Sequence, residues 1–124
     1  MGYPVVHFEV TGKDGEKLAG FYSELCGWEI DTNNPLHYGV VPREGNTGAD
    51  GAGIGGGVGT APGGGDGLVT FYIGVPDVGA ALERAESLGG TRLFGPDTVP
   101  GAGIELGQFA DPEGHVVGLV KTES

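Results

Sequence analysis

The sequence predicts an α+β fold built from two β-α-β-β-β modules, and three observations support this prediction. An alternating strand is followed by an amphipathic helix twice along the chain. A shift of 63 positions places His7 on Thr70 and Phe8 on Phe71, which indicates a duplicated unit. Residues 111–114, Asp-Pro-Glu-Gly, form a hairpin signal between two apolar runs. Each unit is expected to pack one helix on one face of a small sheet.

The first predicted strand, residues 5–10, has two chemically different faces. Phe8 and Val10 share the apolar face, which we expect the following helix to cover. His7 and Glu9 lie on the other face. That second face is therefore available for a ligand or another partner.

The rest of the first half alternates between a helix and strands. A helix is predicted over residues 14–26, with Gly27 as its stop and an apolar stripe of Leu18, Phe21, Tyr22 and Leu25. Strands are predicted at residues 28–30 and 36–41.

The second half repeats the order and adds the hairpin. A strand covers residues 68–75, and Pro76-Asp77 opens a helix that runs to Leu88. Its apolar stripe is Val78, Ala81, Leu82, Ala85 and Leu88. Then follow a strand at residues 91–94, a turn near Gly95-Pro96, and the hairpin strands 104–109 and 116–120.

Glycine is concentrated between the two halves. Twelve of the 28 glycines lie from Gly45 to Gly67. The segment is either two loops around a short strand near Ile54 and Val58 or one long mobile loop, and we favour the first because long structureless loops are uncommon in compact domains. Residues 51–56 match Gly-x-Gly-x-x-Gly, but no strand precedes them and no helix follows, so we do not predict a dinucleotide site.

Composition limits the class of partner. Six basic and 17 acidic residues give a net charge of −11, which disfavours nucleic acid and anionic membranes and raises the local concentration of cations. No apolar run approaches the ~20 residues that cross a bilayer, and no signal-peptide pattern is present. We expect a cytoplasmic protein. Cys26, the one cysteine, is interpreted as a buried, inert thiol.

Several motifs in this order resemble the vicinal oxygen chelate superfamily, which includes glyoxalase I, bleomycin-resistance proteins and extradiol dioxygenases. They are Phe-Tyr-x-x-Leu-x-Gly-Trp at residues 21–28, Val-Pro-Asp-Val at 75–78 and Asp-Pro-Glu-Gly-His at 111–115. The resemblance implies one domain over residues 1–124, with modules at about 4–60 and 67–122. It also implies a curved, largely antiparallel sheet around a cleft, within a chain or across a homodimer.

The divalent-metal ligands of that family carry over poorly to this chain. The resemblance places them at His7, Thr70 and Gly118, where only His7 offers a metal-binding group. A different site from Glu9, Glu105, His37 or His115 has no support in their spacing. We therefore predict neither a metal nor another cofactor.

Seven residues are predicted to bind a small ligand: His7, Glu9, Thr70, Tyr72, Tyr38, Trp28 and Gly118. A carboxylate and aromatic rings suit a cationic or aromatic molecule. For His7 and Glu9 the alternative roles are a structural histidine and a polar residue at the rim, and for Trp28 and Tyr38 packing against a neighbouring element. His115 is interpreted as part of the turn.

The predicted function is metal-free binding of that ligand, with sequestration of the bleomycin-resistance kind as one form. The alternative is a glyoxalase-like lyase, isomerase or dioxygenase, with a displaced metal or with His7 and Glu9 as acid and base. A third interpretation is an accessory module whose cleft has lost its function.

Overall fold

A computed structural model describes residues 2–34, 37–99 and 101–122. Within them the chain forms seven strands and two α-helices, which confirms the α+β class. In order these are β1 (Val5–Gly12), α1 (Gly15–Cys26), β2 (Gly39–Val41), β3 (Gly56–Thr60), β4 (Val69–Val75), α2 (Val78–Ser87), β5 (Thr91–Val99), β6 (Ile104–Ala110) and β7 (Val116–Lys121). Neither of these helices is long and apolar enough to cross a membrane.

The chain divides into two compact units. The three-stranded unit, residues 7–69, has the strand order β2-β3-β1, with β1 parallel and β2 antiparallel to β3. The four-stranded unit, residues 1–6 with 70–124, has the order β4-β7-β6-β5. Its β4–β7 pairing is parallel and its other two pairings are antiparallel. One domain with modules at about 4–60 and 67–122 stays a prediction.

Helix α1 has the predicted ends but buries less of its stripe than predicted. The Asp14 carboxylate accepts from the Lys17 backbone N–H at 3.1 Å, and Gly27 ends the helix in the left-handed region with φ 75°. Phe21 and Leu25 are 58% and 68% exposed, because the short three-stranded sheet covers only part of the helix. Cys26 is exposed too, so the prediction of a buried thiol is wrong.

Two of the strand predictions in the first half need correction. Residues 28–30 form no strand, and Asp31 alone bridges Val40. The carbonyl of Trp28 accepts instead from the Ser23 hydroxyl at 2.8 Å, so a side chain replaces the sheet ladder there. Strand β2 is confined to Gly39–Val41, and Leu36 lies outside the described residues. Strand β3 confirms a short strand within the glycine-rich segment.

Helix α2 anchors the core of the four-stranded unit. The Asp77 carboxylate accepts from the Ala80 backbone N–H at 3.0 Å and caps the helix, as its sequence predicts. Val78 and Leu82 are fully buried against the sheet. Leu88 follows the last helical residue and is exposed, so the predicted stripe is shorter by one side chain.

The turn predicted near Gly95-Pro96 is wrong, because β5 runs through both residues. In the four-stranded unit β5 is the last strand, paired with β6, and proline is tolerated on such strands since it lacks only a ladder donor. The β5–β6 register shifts there, which absorbs the irregularity. A Cβ on Gly95 would lie 2.7 Å from the Gly107 Cα, so glycine permits this close approach.

The final hairpin forms as predicted. The Asp111 carboxylate accepts from the backbone N–H groups of Glu113 and His115, each at 2.9 Å, and Gly114 has φ 87°. The bond from the His115 backbone, with those from its side chain and from Glu113, lowers the pKa of Asp111. The turn is therefore held by local groups.

Candidate functional site

A chain of hydrogen bonds joins three polar side chains of the three-stranded unit. The Tyr38 hydroxyl donates to Glu9 Oε1 at 3.0 Å, and His7 Nε2 lies 3.2 Å from the same hydroxyl oxygen. His7 and Glu9 lie on the sheet face turned away from α1, because Phe8 between them on β1 packs in the core below the helix. Tyr38 is on the same face, since its hydroxyl contacts both side chains. We call this the His7 face. Three of the seven predicted residues are thus brought together.

Tyr38 is positioned from two sides. The Asn34 amide accepts from the Tyr38 backbone N–H at 3.0 Å and donates to its carbonyl at 2.7 Å. The Tyr38 ring lies on strand β3, where a Cβ on Gly57 would collide with the ring. The glycines of β3 therefore leave the space that this ring occupies.

The hydrogen bonds assign the proton on His7. Because the Tyr38 hydroxyl proton goes to Glu9, the hydroxyl oxygen accepts from His7, and the imidazole carries its hydrogen on Nε2. Burial lowers the pKa of His7 below its ordinary value of 6.5. Burial therefore favours the neutral form of the imidazole.

Trp28 lies on the opposite side of the sheet. Its ring centroid is 5.2 Å from that of Phe8 and 5.8 Å from that of Tyr22, in the core below α1. Its indole N–H donates to Asn46 Oδ1 at 3.1 Å. The structure does not bring Trp28 together with His7.

The remaining predicted residues lie in the four-stranded unit, on the face turned away from α2. Thr70 is buried, and its hydroxyl donates to the Val116 carbonyl at 2.6 Å. Tyr72 is also buried, and its ring lies on Gly118, where a Cβ would collide with it. The hydroxyl of Tyr72 accepts from Gln108 Nε2 at 3.2 Å.

The positions that the resemblance assigns to a divalent metal do not fit one. At Gly118 no side chain can reach a metal, and the Tyr72 ring occupies the space above that glycine. The Thr70 hydroxyl is engaged by a carbonyl, and a neutral hydroxyl is a poor ligand. In the described part of the chain no three His, Cys, Asp or Glu side chains cluster as a metal site requires.

A cavity of about 460 Å³ lies elsewhere, beside α2 in the four-stranded unit. Alanines at positions 80, 81 and 85 leave it open above Ile73 and Phe109. None of the seven predicted ligand residues lines it. Asp77, Arg84 and Asp111 also border this cavity. We place the candidate site at the His7 face instead, because three of the predicted ligand residues are joined there by hydrogen bonds.

Sequence reasoning missed three residues of these arrangements. Asn34 holds the Tyr38 backbone, Gly57 leaves space for the Tyr38 ring, and Gln108 bonds Tyr72. The glycine-rich strand was a visible signal for Gly57. The contacts of Asn34 and Gln108 depend on backbone and strand geometry that no local motif encodes.

The chain belongs to the glyoxalase-like domain family, whose model it matches over residues 7–120. This match confirms the resemblance inferred from the motifs. No curated protein sequence matches the chain.

Solved structures show the same fold at low sequence identity. Methylmalonyl-CoA epimerase from Streptomyces coelicolor, as a variant with 2-nitronate-propionyl-CoA, aligns with a TM-score of 0.67 and 18% identity, covering 98% of this chain and 96% of that one. A glyoxalase/bleomycin resistance protein/dioxygenase superfamily member from Vibrio splendidus aligns with a TM-score of 0.59 and 16% identity, covering 98% and 100%. At these identities the likeness establishes the fold alone.

Replacing Gly118 tests the packing of the Tyr72 ring. We expect Gly118→Ala to lower the free energy of unfolding by about 1–3 kcal/mol, because its methyl group would occupy the space of the ring. Gly20→Ala is the matched control, since an added Cβ in that α1 position meets nothing within 4 Å. It should raise stability by up to about 1 kcal/mol. Urea denaturation measures both, and an unchanged midpoint for Gly118→Ala would contradict the packing.

The lowered pKa of His7 predicts how stability depends on pH. As the pH falls below about 6.5, the unfolded chain takes up a proton on His7 before the folded chain does. Protonation of His7 therefore lowers the free energy of unfolding. The loss levels off once the folded form is protonated too. His7→Gln should flatten the stability profile between about pH 8 and pH 5.5, whereas exposed His37→Asn should not. Equal profiles of stability against pH for the wild type and His7→Gln would contradict a lowered pKa of His7.

Proposed function

We propose that this glyoxalase-like chain binds a small cationic or aromatic ligand on its His7 face without using a metal. The observation that carries the proposal is the arrangement of two rings and a carboxylate. The His7 and Tyr38 rings are nearly parallel, with an interplanar angle of 19° and centroids 6.4 Å apart. His7 Nε2 and the Tyr38 hydroxyl are also within hydrogen-bond distance, so the two rings are neighbours with nearly parallel planes.

This arrangement suits a flat ligand with a positive charge. An aromatic face attracts cations through its quadrupole, and Glu9, the last member of the hydrogen-bonded group, supplies a carboxylate. Burial favours the neutral form of His7, and a neutral ring does not repel a cation. The net charge of −11 favours the approach of cations to the whole molecule.

The comparisons support binding of small molecules in general. The epimerase relative holds 2-nitronate-propionyl-CoA in its structure, which is consistent with a ligand site on this fold. Sequestration of the ligand is the simplest form of the proposed function, since it requires no chemistry. A homodimer in the cytoplasm remains our expectation for its assembly and location.

Binding of matched probes tests the proposal. The 1-methylquinolinium cation should bind more tightly than neutral naphthalene, and Glu9→Gln should weaken cation binding about 10-fold with little effect on naphthalene. Tyr38→Ala should weaken both, because it removes the aromatic surface. Titration calorimetry in the presence and absence of chelator measures these affinities.

Two variants outside the hydrogen-bonded group of His7, Tyr38 and Glu9 serve as controls. Glu16→Gln removes a carboxylate from the first turn of α1, and Tyr3→Ala removes an exposed tyrosine. Neither should change either affinity. Loss of binding with chelator, or equal effects of Glu9→Gln and Glu16→Gln, would contradict the proposal.

A second candidate function is metal-free acid–base catalysis. The observation that favours it is the continuous chain from His7 Nε2 through the Tyr38 hydroxyl to Glu9 Oε1, with steps of 3.2 and 3.0 Å. The Glu9 carboxylate would take a proton from a bound substrate and exchange it with solvent. The Tyr38 hydroxyl, held by the N–H group at His7 Nε2, would orient that carboxylate by donating to it.

Hydrogen exchange distinguishes catalysis from binding alone. In D2O, small ketones and acyl thioesters should exchange the hydrogen next to their carbonyl group, as followed by proton NMR. Tyr38→Phe should reduce the exchange rate about 100-fold while keeping the ring that binds the ligand. Probe binding without hydrogen exchange would support sequestration alone. The absence of both probe binding and hydrogen exchange would favour an accessory module.

A further inference from the structure

Four residues lie side by side across the four-stranded sheet, on the face turned away from α2. Tyr72 on β4 pairs with Gly118 on β7, which pairs with Gln108 on β6, which pairs with Phe94 on β5. We call this surface the Gln108 face. Helix α2 packs on the other side, where Leu82 approaches Gly107. Gln108 is therefore not part of the helix-packed core.

The amide of Gln108 is held at one end. Its Nε2 donates to the hydroxyl of Tyr72, and that buried ring is itself fixed against Gly118. Among the described residues none donates a hydrogen bond to Gln108 Oε1. The side chain is half-buried, and its bond to Tyr72 orients the amide and therefore this acceptor.

The neighbours of Gln108 on this face are mainly apolar. On β6 and β7, Leu106 pairs with Val120, and Ala110 pairs with Val116. Leu106, Val120, Ala110 and Val116 are half-buried, and Ile104 is exposed. Aliphatic side chains thus flank a single fixed amide acceptor along these two strands.

We propose that Gln108 determines ligand specificity by accepting a hydrogen bond from a hydroxyl or N–H group on a largely apolar small molecule. This inference rests on the proposed small-molecule binding and adds a ligand surface on the four-stranded unit, with the class of ligand group that Gln108 selects there. Covering Gln108 with a molecule that has no donor would bury an unpaired acceptor, which is unfavourable. A donor removes that penalty, so the amide discriminates between otherwise similar molecules.

A pair of probes that differ in one donor tests this inference. We expect 2-naphthol to bind more tightly than 2-methoxynaphthalene, whose oxygen carries no hydrogen, by about 10-fold. Gln108→Leu should remove most of this preference, whereas Gln108→Glu should keep it, because a carboxylate still accepts. Fluorescence titration gives the affinities, and urea denaturation identifies any variant that fails to fold.

Thr98→Leu is the control, since it replaces an exposed polar residue on neighbouring β5 that pairs with Glu105 rather than with Gln108. It should leave the preference unchanged. A preference that survives in folded Gln108→Leu would overturn the inference. The inference would also be overturned if the wild-type protein bound 1-methylquinolinium but neither 2-naphthol nor 2-methoxynaphthalene. That result would still agree with the proposed function. Failure of 1-methylquinolinium as well would overturn both.

Discussion

The His7 face and the Gln108 face both depend on a tyrosine ring that lies flat on a glycine of a neighbouring strand. Tyr38 lies on Gly57 and Tyr72 on Gly118, and a methyl group at either glycine would collide with the ring. In each unit the ring reaches across the strand to a polar partner: Glu9 and His7 in one, Gln108 in the other. A close-packed interior tolerates no extra atom at such a contact, so the glycines set where the hydroxyl groups lie. Part of the unusual glycine content thus has a structural explanation.

The same packing determines what lies at the positions where the resemblance expects metal ligands. At Gly118, where the resemblance expects a carboxylate, the structure has the face of an aromatic ring. On the His7 face an imidazole, a phenol and a carboxylate share hydrogen bonds. Among the described residues, no three His, Cys, Asp or Glu side chains gather as a divalent metal requires.

The two units present different chemistry on corresponding sheet faces. The His7 face carries a charge and two flat rings, whereas the Gln108 face is aliphatic around one amide. In both units one face of the strands packs against a helix, through Leu18 and Tyr22 in the three-stranded unit and through Val78 and Leu82 in the four-stranded unit. Fold and specificity are thus encoded by different faces of the same strands.

The sequence by itself determined the α+β class, the starts of the two helices near Asp14 and Asp77, and the hairpin at Asp111. Each of these depends on hydrogen bonds or spacing within a few residues, which a local pattern encodes. It also paired His7 with Glu9, because strand alternation places them on one face. Only the tertiary structure decided that Tyr38 joins them, that Trp28 packs on the other side, and that β5 continues through Pro96. Those outcomes depend on contacts between residues far apart in the chain, whose energies outweigh local preference.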